Sequence, residues 1–277
     1  MFLPKIPLGE GIEILVDLID DYLGWLLDGI SVVLDFLVSG LYDLLLFIPE
    51  IVLIVALAAL VWYLSRRDLG IAAVVAIGLI LVWNLNLWDE AMETLALVIV
   101  SAFTALAIGI PLGILSARHD LIDSIMRPIL DFMQTMPSFV YLIPAVIFFG
   151  LGNVPGMIAT VIFAMPPSIR LTNLGIRQIS KELIEVADAF GSTSQQKLVK
   201  VQLPVALPTI MAGVNQCIML ALSMTVIASM IGARGLGYLV LVGIQRVDIG
   251  GGFEAGLGIV IIAIVLDRIS QNLVKSP

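Results

Sequence analysis

EVADAFGSTSQQKLVKVQLP, Glu185 to Pro204, is a polar passage in a chain of 277 residues that is 60% hydrophobic. It carries Glu185, Asp188, Lys197 and Lys200 among serines and glutamines, follows Arg170, Arg177 and Lys181, and is too long for a tight turn. Lysine and arginine gather in the cytoplasmic loops of membrane proteins, so the passage reads as a cytoplasmic loop. Within it, Ser180 precedes KELIEVADAF, a short helix predicted to end at Gly191, where a helix C-terminus favours a left-handed residue. Ser192, with Gln195 three positions on, has the form of a capping box and predicts a second short helix. Pro204 and Pro208 then mark the entry to an apolar segment. Leu183, Ile184, Val186, Ala187, Ala189 and Phe190 make the first helix more apolar than a solvated loop requires. It packs either back onto its own bundle or against a separate partner.

The rest of the chain supplies the membrane. Charged residues are 13%, where a soluble domain has about 25%, and the mean hydropathy is +1.10. Spans of about 20 apolar residues cross a hydrocarbon core of roughly 30 Å, and seven are predicted. They cover 46 to 64, 70 to 88, 92 to 116, 136 to 152, 156 to 170, 208 to 231 and 253 to 270. The fourth and fifth share the corner Gly152-Asn153-Val154-Pro155-Gly156, a helical hairpin. With the loop after span five inside, Arg66-Arg67, the Arg118 to Arg127 stretch, Arg268 and Lys275 also fall inside, and the N-terminus falls outside. Arg234 and Arg246, on the loop after span six, run against this pattern.

Net charge is concentrated at one end. Residues 1 to 50 hold nine acids against Lys5 alone, which accounts for the whole net charge of −8. Glu13, Asp17, Asp20, Asp28 and Asp35 recur near the helical period, so residues 1 to 45 are expected to form an amphipathic helix lying along the membrane interface or against neighbouring spans, interrupted near Gly24 and Gly29, with an eighth span, at the cost of buried carboxylates, as the alternative. The single Cys217 leaves no internal disulfide, and with the single His119 a metal cluster is not expected. The absence of a GxxxxGK[ST] string means that ATP phosphates are not held here by a P-loop.

Glu185, Ala187, Gly191 and, after nine intervening residues, Val201-x-Leu203-Pro204 resemble the EAA loop of ABC-importer permeases. Val186 and Val201 are mild departures from that pattern. From about residue 90 onward MRPILDFMQTMPSFVYLIPAVIFFGLGNVPG, IFAMPPSIRLTNLGIRQI, NQCIMLALSMTVIASMIGARGLG and the LDRISQN tail are similar to permeases of glycine betaine/proline betaine importers, the osmoprotectant branch. Gly232-x-x-Gly235-Leu236-Gly237 is shared more widely among type I importers and does not choose a substrate.

The resemblance implies an all-α integral membrane protein of the type I ABC-importer transmembrane class. It would comprise an acidic N-terminal segment (1–45), two peripheral helices (46–88) and a five-helix core (89–271) with the coupling loop at 171–207. Glu185, Ala187, Gly191, Leu203 and Pro204 would then engage a separate ATPase, two copies of which carry ATP and magnesium, while this chain holds no cofactor and catalyses nothing itself. A second permease copy, an extracytoplasmic substrate-binding protein and membrane lipid are the other expected partners, with no nucleic acid, in a prokaryotic cytoplasmic membrane. A quaternary ammonium cannot donate N–H hydrogen bonds, so aromatic faces and sulfur suit its passage. Phe139, Tyr141, Met165, Asn215, Gln216, Met219, Ser223, Met224 and Thr225 are the candidate lining residues. Another small solute, such as choline, carnitine, proline or methionine, fits the same class. An ion-coupled carrier acting alone would expect charges within spans four to six, which hold none before their ends.

Overall fold

A computed structural model of the chain describes residues 8–65 and 67–272; Arg66 and Lys275, two of the residues used for orientation, lie outside these, as do the side chains of Glu10 and Glu13. Thirteen α-helices follow one another among the described residues: α1 (Leu8–Phe47), α2 (Glu50–Leu64), α3 (Leu69–Asn84), α4 (Trp88–Arg118), α5 (Asp120–Thr135), α6 (Leu142–Phe149), α7 (Asn153–Ala164), α8 (Pro166–Arg177), α9 (Lys181–Ala189), α10 (Ser194–Lys197), α11 (Leu203–Ala228), α12 (Leu236–Arg246) and α13 (Ile249–Asn272).

Five segments are long and apolar enough to cross a bilayer, and α5 with the Ser138–Phe149 segment makes a sixth that bends by 109°. The break falls at Met136-Pro137, because proline disfavours helical geometry at the residue before it, and Met136 is accordingly extended. The seven segments expected from hydropathy map onto this set with three differences: the fourth, 136 to 152, is too short to cross alone and passes only together with α5 across the bend, and the others concern α1 to α3. The helices of the first two, α2 and α3, have 15 and 16 residues. At 1.5 Å per residue each reaches only about 22 to 24 Å, less than the hydrocarbon core. The segment Val16–Phe47, in contrast, passes the length and hydropathy test.

α1 also corrects the expected interruption: it runs unbroken through Gly24 and Gly29. A helical glycine costs about 1 kcal/mol relative to alanine and does not by itself end a helix. Leu34, Val38 and Leu45 are buried against the bundle, while Asp17, Asp20, Asp21, Asp28, Asp35 and Asp43 are exposed. The helix stops at Ile48-Pro49, and Asp68 caps α3 by accepting from the backbone N–H groups of Gly70 and Ile71.

The main core joins α4, α7, α11 and α13, with α1 to α3 packed around it. α8 is held on both sides by glycine-mediated approaches. A Cβ on Gly109 would lie 2.0 Å from Ser168 Oγ, and one on Gly113 2.6 Å from Thr172 Cβ, so α4 and α8 cross at close range through a Gly-x-x-x-Gly step. On the other side Gly175 meets Ala206 and Thr209, and Gly213 meets Pro167 and Leu171 of the α7–α8 segment. Pro166 and Pro167 occupy the first turn of α8, where a missing N–H costs nothing, so α7 and α8 together form one crossing.

Candidate functional site

α8 leaves the bundle through Gln178–Ser180 and turns into α9, the first of the two expected loop helices. Glu182, in its first turn, has its carboxyl held below the usual range by its own backbone N–H and by the Ser180 hydroxyl. The end of α9 is closed by a Schellman pair: Gly191 N–H donates to Asp188 O at 2.9 Å and Ser192 N–H to Ala187 O at 3.0 Å. Gly191 has φ +73°, the left-handed geometry this closure demands. Because Ser192 is consumed there, the capping box begins one residue later than its sequence pattern indicates. Thr193 Oγ1 accepts from Gln196 N–H at 3.3 Å, and Thr193 N–H donates to Gln196 Oε1 at 2.9 Å. Lys197 pairs with Asp188 across the corner, fixing α9 against α10.

Of the matched loop residues, Ala187 is buried, Glu185, Gly191 and Pro204 are exposed, and Leu203 is half-buried at the start of α11. Leu183 and Val186 are exposed beside Phe190, which is 86% exposed. α9 therefore packs on its own chain through Ala187 and partly through Ile184, and leaves Leu183, Val186 and Phe190 uncovered.

The lining candidates fall into three groups. Gln216, Met219 and Ser223 are exposed along one stripe of α11 at helical spacing, and Phe139 is 52% exposed at the α5–α6 elbow. Asn215 turns the other way, where its Oδ1 accepts from Ser270 Oγ of α13 at 2.7 Å. Met224 and Tyr141 are buried together in a small cluster with Leu142, Ala145 and Ala159. Tyr141 also donates to the Met133 carbonyl, tying the elbow, and Phe163 meets its ring edge-on. Thr225 is buried with its hydroxyl on Leu222 O, and Met165 packs partly buried against the core.

At the opposite end of the bundle the Gly232 to Gly237 motif is pinned. Leu236 N–H donates to Thr94 Oγ1 at 2.8 Å, Arg234 N–H to Asn153 Oδ1 at 2.9 Å, and Asn153 Nδ2 to Glu93 Oε1 at 3.1 Å. Gly235 has φ +94°, and a Cβ there would stand 2.5 Å from Thr94 Oγ1, so both the turn and the close approach require glycine. Gly237 packs against the Thr225–Val226 backbone, and Gly232 lies near Gly152.

α9 thus carries Leu183, Val186 and Phe190 uncovered and continues from a helix clamped inside a bundle of membrane-crossing length. Residues 109–276 match the family of the binding-protein-dependent transport system inner membrane component. The chain belongs to that family. Among relatives of this permease, the glycine betaine/carnitine transport permease protein GbuB of Listeria monocytogenes serotype 1/2a (strain 10403S) is 52% identical, over 99% of this chain and 97% of the relative. The glycine betaine transport system permease protein OpuAB of Bacillus subtilis (strain 168) is 51% identical, over 98% and 95%. The glycine betaine/proline betaine transport system permease protein ProW of Escherichia coli (strain K12) is 48% identical, over 96% of this chain and 75% of its own length. Two solved structures of the MetNI methionine ABC transporter in inward-facing conformations share the fold, with TM-scores of 0.59 and 0.55 at 24% and 23% identity. They cover 68% and 66% of this chain, and 96% and 93% of those chains. The protein is thus a multi-pass membrane permease of an ABC importer, a class that works with an ATPase and a binding protein.

One cluster in this permease escaped the sequence reading. Asp123 of α5, 5% exposed, accepts from Arg127 Nη2 and from Asn173 Nδ2 of α8, each at 2.6 Å. Arg177 of α8 reaches Asp120 at 2.8 Å and donates to Ser116 O at 2.8 Å, and Arg170 pairs with Asp131. The signal was the matched i, i+3, i+7 spacing of Asp120, Asp123 and Arg127 and of Arg170, Asn173 and Arg177, which puts each set on one helix face.

Proposed function

We propose that the chain is the membrane-spanning subunit of an ATP-driven importer for glycine betaine or a related quaternary-ammonium osmoprotectant, acting as a dimer with two ATPase subunits. The substrate class is supported by the three relatives above, whose names all include glycine betaine, at about half identity over nearly the whole of this chain. The coupling role is carried by one observation, the uncovered apolar face of α9 beside the closed corner at Gly191. ATP and magnesium belong to the partner ATPase in this reading. Glu185, Ala187, Gly191, Leu203 and Pro204 form or support the docking corner, on the cytoplasmic side with the C-terminus, while the N-terminus and the Gly232–Gly237 motif face outward toward the binding protein.

Within the pair, the solute passes along the open stripe of α11. Gln216, Met219 and Ser223, with Phe139 at the elbow, offer an amide, a thioether, a hydroxyl and an aromatic face. Such groups hold a trimethylammonium zwitterion weakly, which is what release requires. Asn215 is satisfied by Ser270 and serves the α11–α13 contact. α1 carries its exposed acids along the outer interface, its distal half bordering a cavity of about 580 Å³ with Glu93, Asn153 and Arg234.

The test is ATP-dependent uptake in proteoliposomes holding the permease, its ATPase and its binding protein. Labelled glycine betaine should accumulate and be competed by carnitine or choline more strongly than by proline or methionine. Accumulation of methionine or proline in place of betaine overturns the substrate class; uptake without the ATPase overturns the mechanism.

A further inference from the structure

We infer that Asp123 is a positioning residue that transmits movement of the coupling loop to the Met136–Tyr141 elbow and hence to the solute path. The inference rests on the coupling role proposed above for α9.

α8 is the one helix that continues directly into α9, and glycine contacts clamp it to α4 and α11, so a push on α9 reaches Arg177, Asn173 and Arg170 with little loss. α5 is held quite differently. Its outward residues Leu121, Ile125, Ile129 and Phe132 are exposed, and a cavity of about 300 Å³ lies between it and α8, lined in part by Met126, Ile169 and Leu174. Side-chain tips bridge that gap antiparallel, Arg177 to Asp120, Asn173 to Asp123 and Arg170 to Asp131. Asp123 is the hub, buried and shared among Arg127, Asn173 and, at 3.7 Å, Arg177. Two flanking groups, Ser116 Oγ and Arg170 Nε, are buried without a hydrogen-bond partner beside this network.

For stability alone the buried Asp123 carboxylate, whose partner Arg127 is 69% exposed, is a poor choice, because an apolar side chain there would avoid its desolvation cost. A hub of directed bonds does what an apolar cluster cannot: it passes force along defined axes between two helices that are not packed backbone to backbone. The far end of α5 turns through the elbow into α6, and the Tyr141 hydroxyl on Met133 O ties α5 to the elbow, which in turn packs on Ala159 of α7 and Met224 of α11. Phe139 is exposed on that elbow.

The test uses the full transporter in proteoliposomes, with a cysteine at Phe139 in a Cys217→Ala background so that the introduced thiol is the one labelled. In the parent, maleimide labelling of the introduced cysteine should differ between the nucleotide-free and vanadate-trapped states. Asp123→Asn should bind the ATPase as the parent does, lose that difference, and fall about tenfold in solute moved per ATP hydrolysed, with partial recovery in Asp123→Glu. If Asp123→Asn does not fold, Asn173→Ala decides: it removes the hydrogen bond that links Asp123 to α8 and should lower both the labelling difference and solute per ATP. Parent-like labelling differences and solute per ATP in Asp123→Asn or, where that variant does not fold, in Asn173→Ala overturn the inference while leaving the coupling role of α9 intact. A parent that binds no ATPase removes both.

Discussion

Gly191→Ala separates backbone geometry from every other effect at the coupling corner. Gly191 has φ +73°, and an added Cβ would find nothing within 4 Å, so the substitution meets no clash and changes only the conformational cost. Holding an L-residue in the left-handed region costs roughly 1–2 kcal/mol, which lowers the closed corner relative to its alternatives by a factor of roughly 5–30. The closure at risk comprises the Gly191 and Ser192 N–H bonds and the Asp188–Lys197 pair, none of which contributes to the transmembrane core. Solute moved per ATP in proteoliposomes should therefore fall, by at most about that factor, with the thermal midpoint of the detergent-solubilised permease unchanged. Asparagine tolerates the left-handed region better, so Gly191→Asn should recover most of the loss. If alanine matches glycine, the geometry of the corner is irrelevant to coupling. Asparagine as damaging as alanine would locate the fault in crowding at the partner's surface.

Three further substitutions probe different parts of the molecule. Phe190→Asp places a charge on a side chain that touches little of its own chain; co-purification of the ATPase should fail while the permease's own thermal midpoint holds. Asn215→Leu breaks the bond to Ser270 and should cost roughly 0.6–2 kcal/mol of stability with the apparent KM unmoved, whereas Gln216→Leu should impair uptake and leave stability alone. The reverse pattern would exchange their roles. Gly113→Ala would bring a Cβ to 2.6 Å from Thr172 Cβ and 2.7 Å from Ile169 O, overpacking the α4–α8 crossing. It should lower the thermal stability by about 1–3 kcal/mol, with only partial relief from Thr172→Ala because the backbone oxygen remains. A neutral Gly113→Ala would show that α8 is not clamped.

The sequence by itself determined the membrane class, the loop, its first short helix and the glycine that ends it; the expected second short helix is instead the start of one segment, Ser194–Ile231, because α10 runs on through the Leu198–Gln202 turn into α11. Those features are local: hydropathy over a span, a run of basic residues, a glycine after a helical run, a cap followed three residues later by glutamine. Even the capping box was displaced by only one residue, because Ser192 was claimed by the Schellman closure rather than by the next helix. Tertiary structure decided what depends on which way a helix faces. Asn215 and Gln216 are neighbours of the same chemical type, yet one bonds Ser270 while the other is exposed, since adjacent helical positions point about 100° apart and nothing local says which faces α13. The same holds for α1, whose acids recur at nearly the helical period but whose buried stripe of Leu34, Val38 and Leu45 is set by the neighbours it packs on. The α5–α8 network is the clearest case. Asp123 and Asn173 lie fifty residues apart, and only the glycine-clamped path of α8 brings their two polar faces together. Periodicity puts charges on a face; packing alone decides what that face meets.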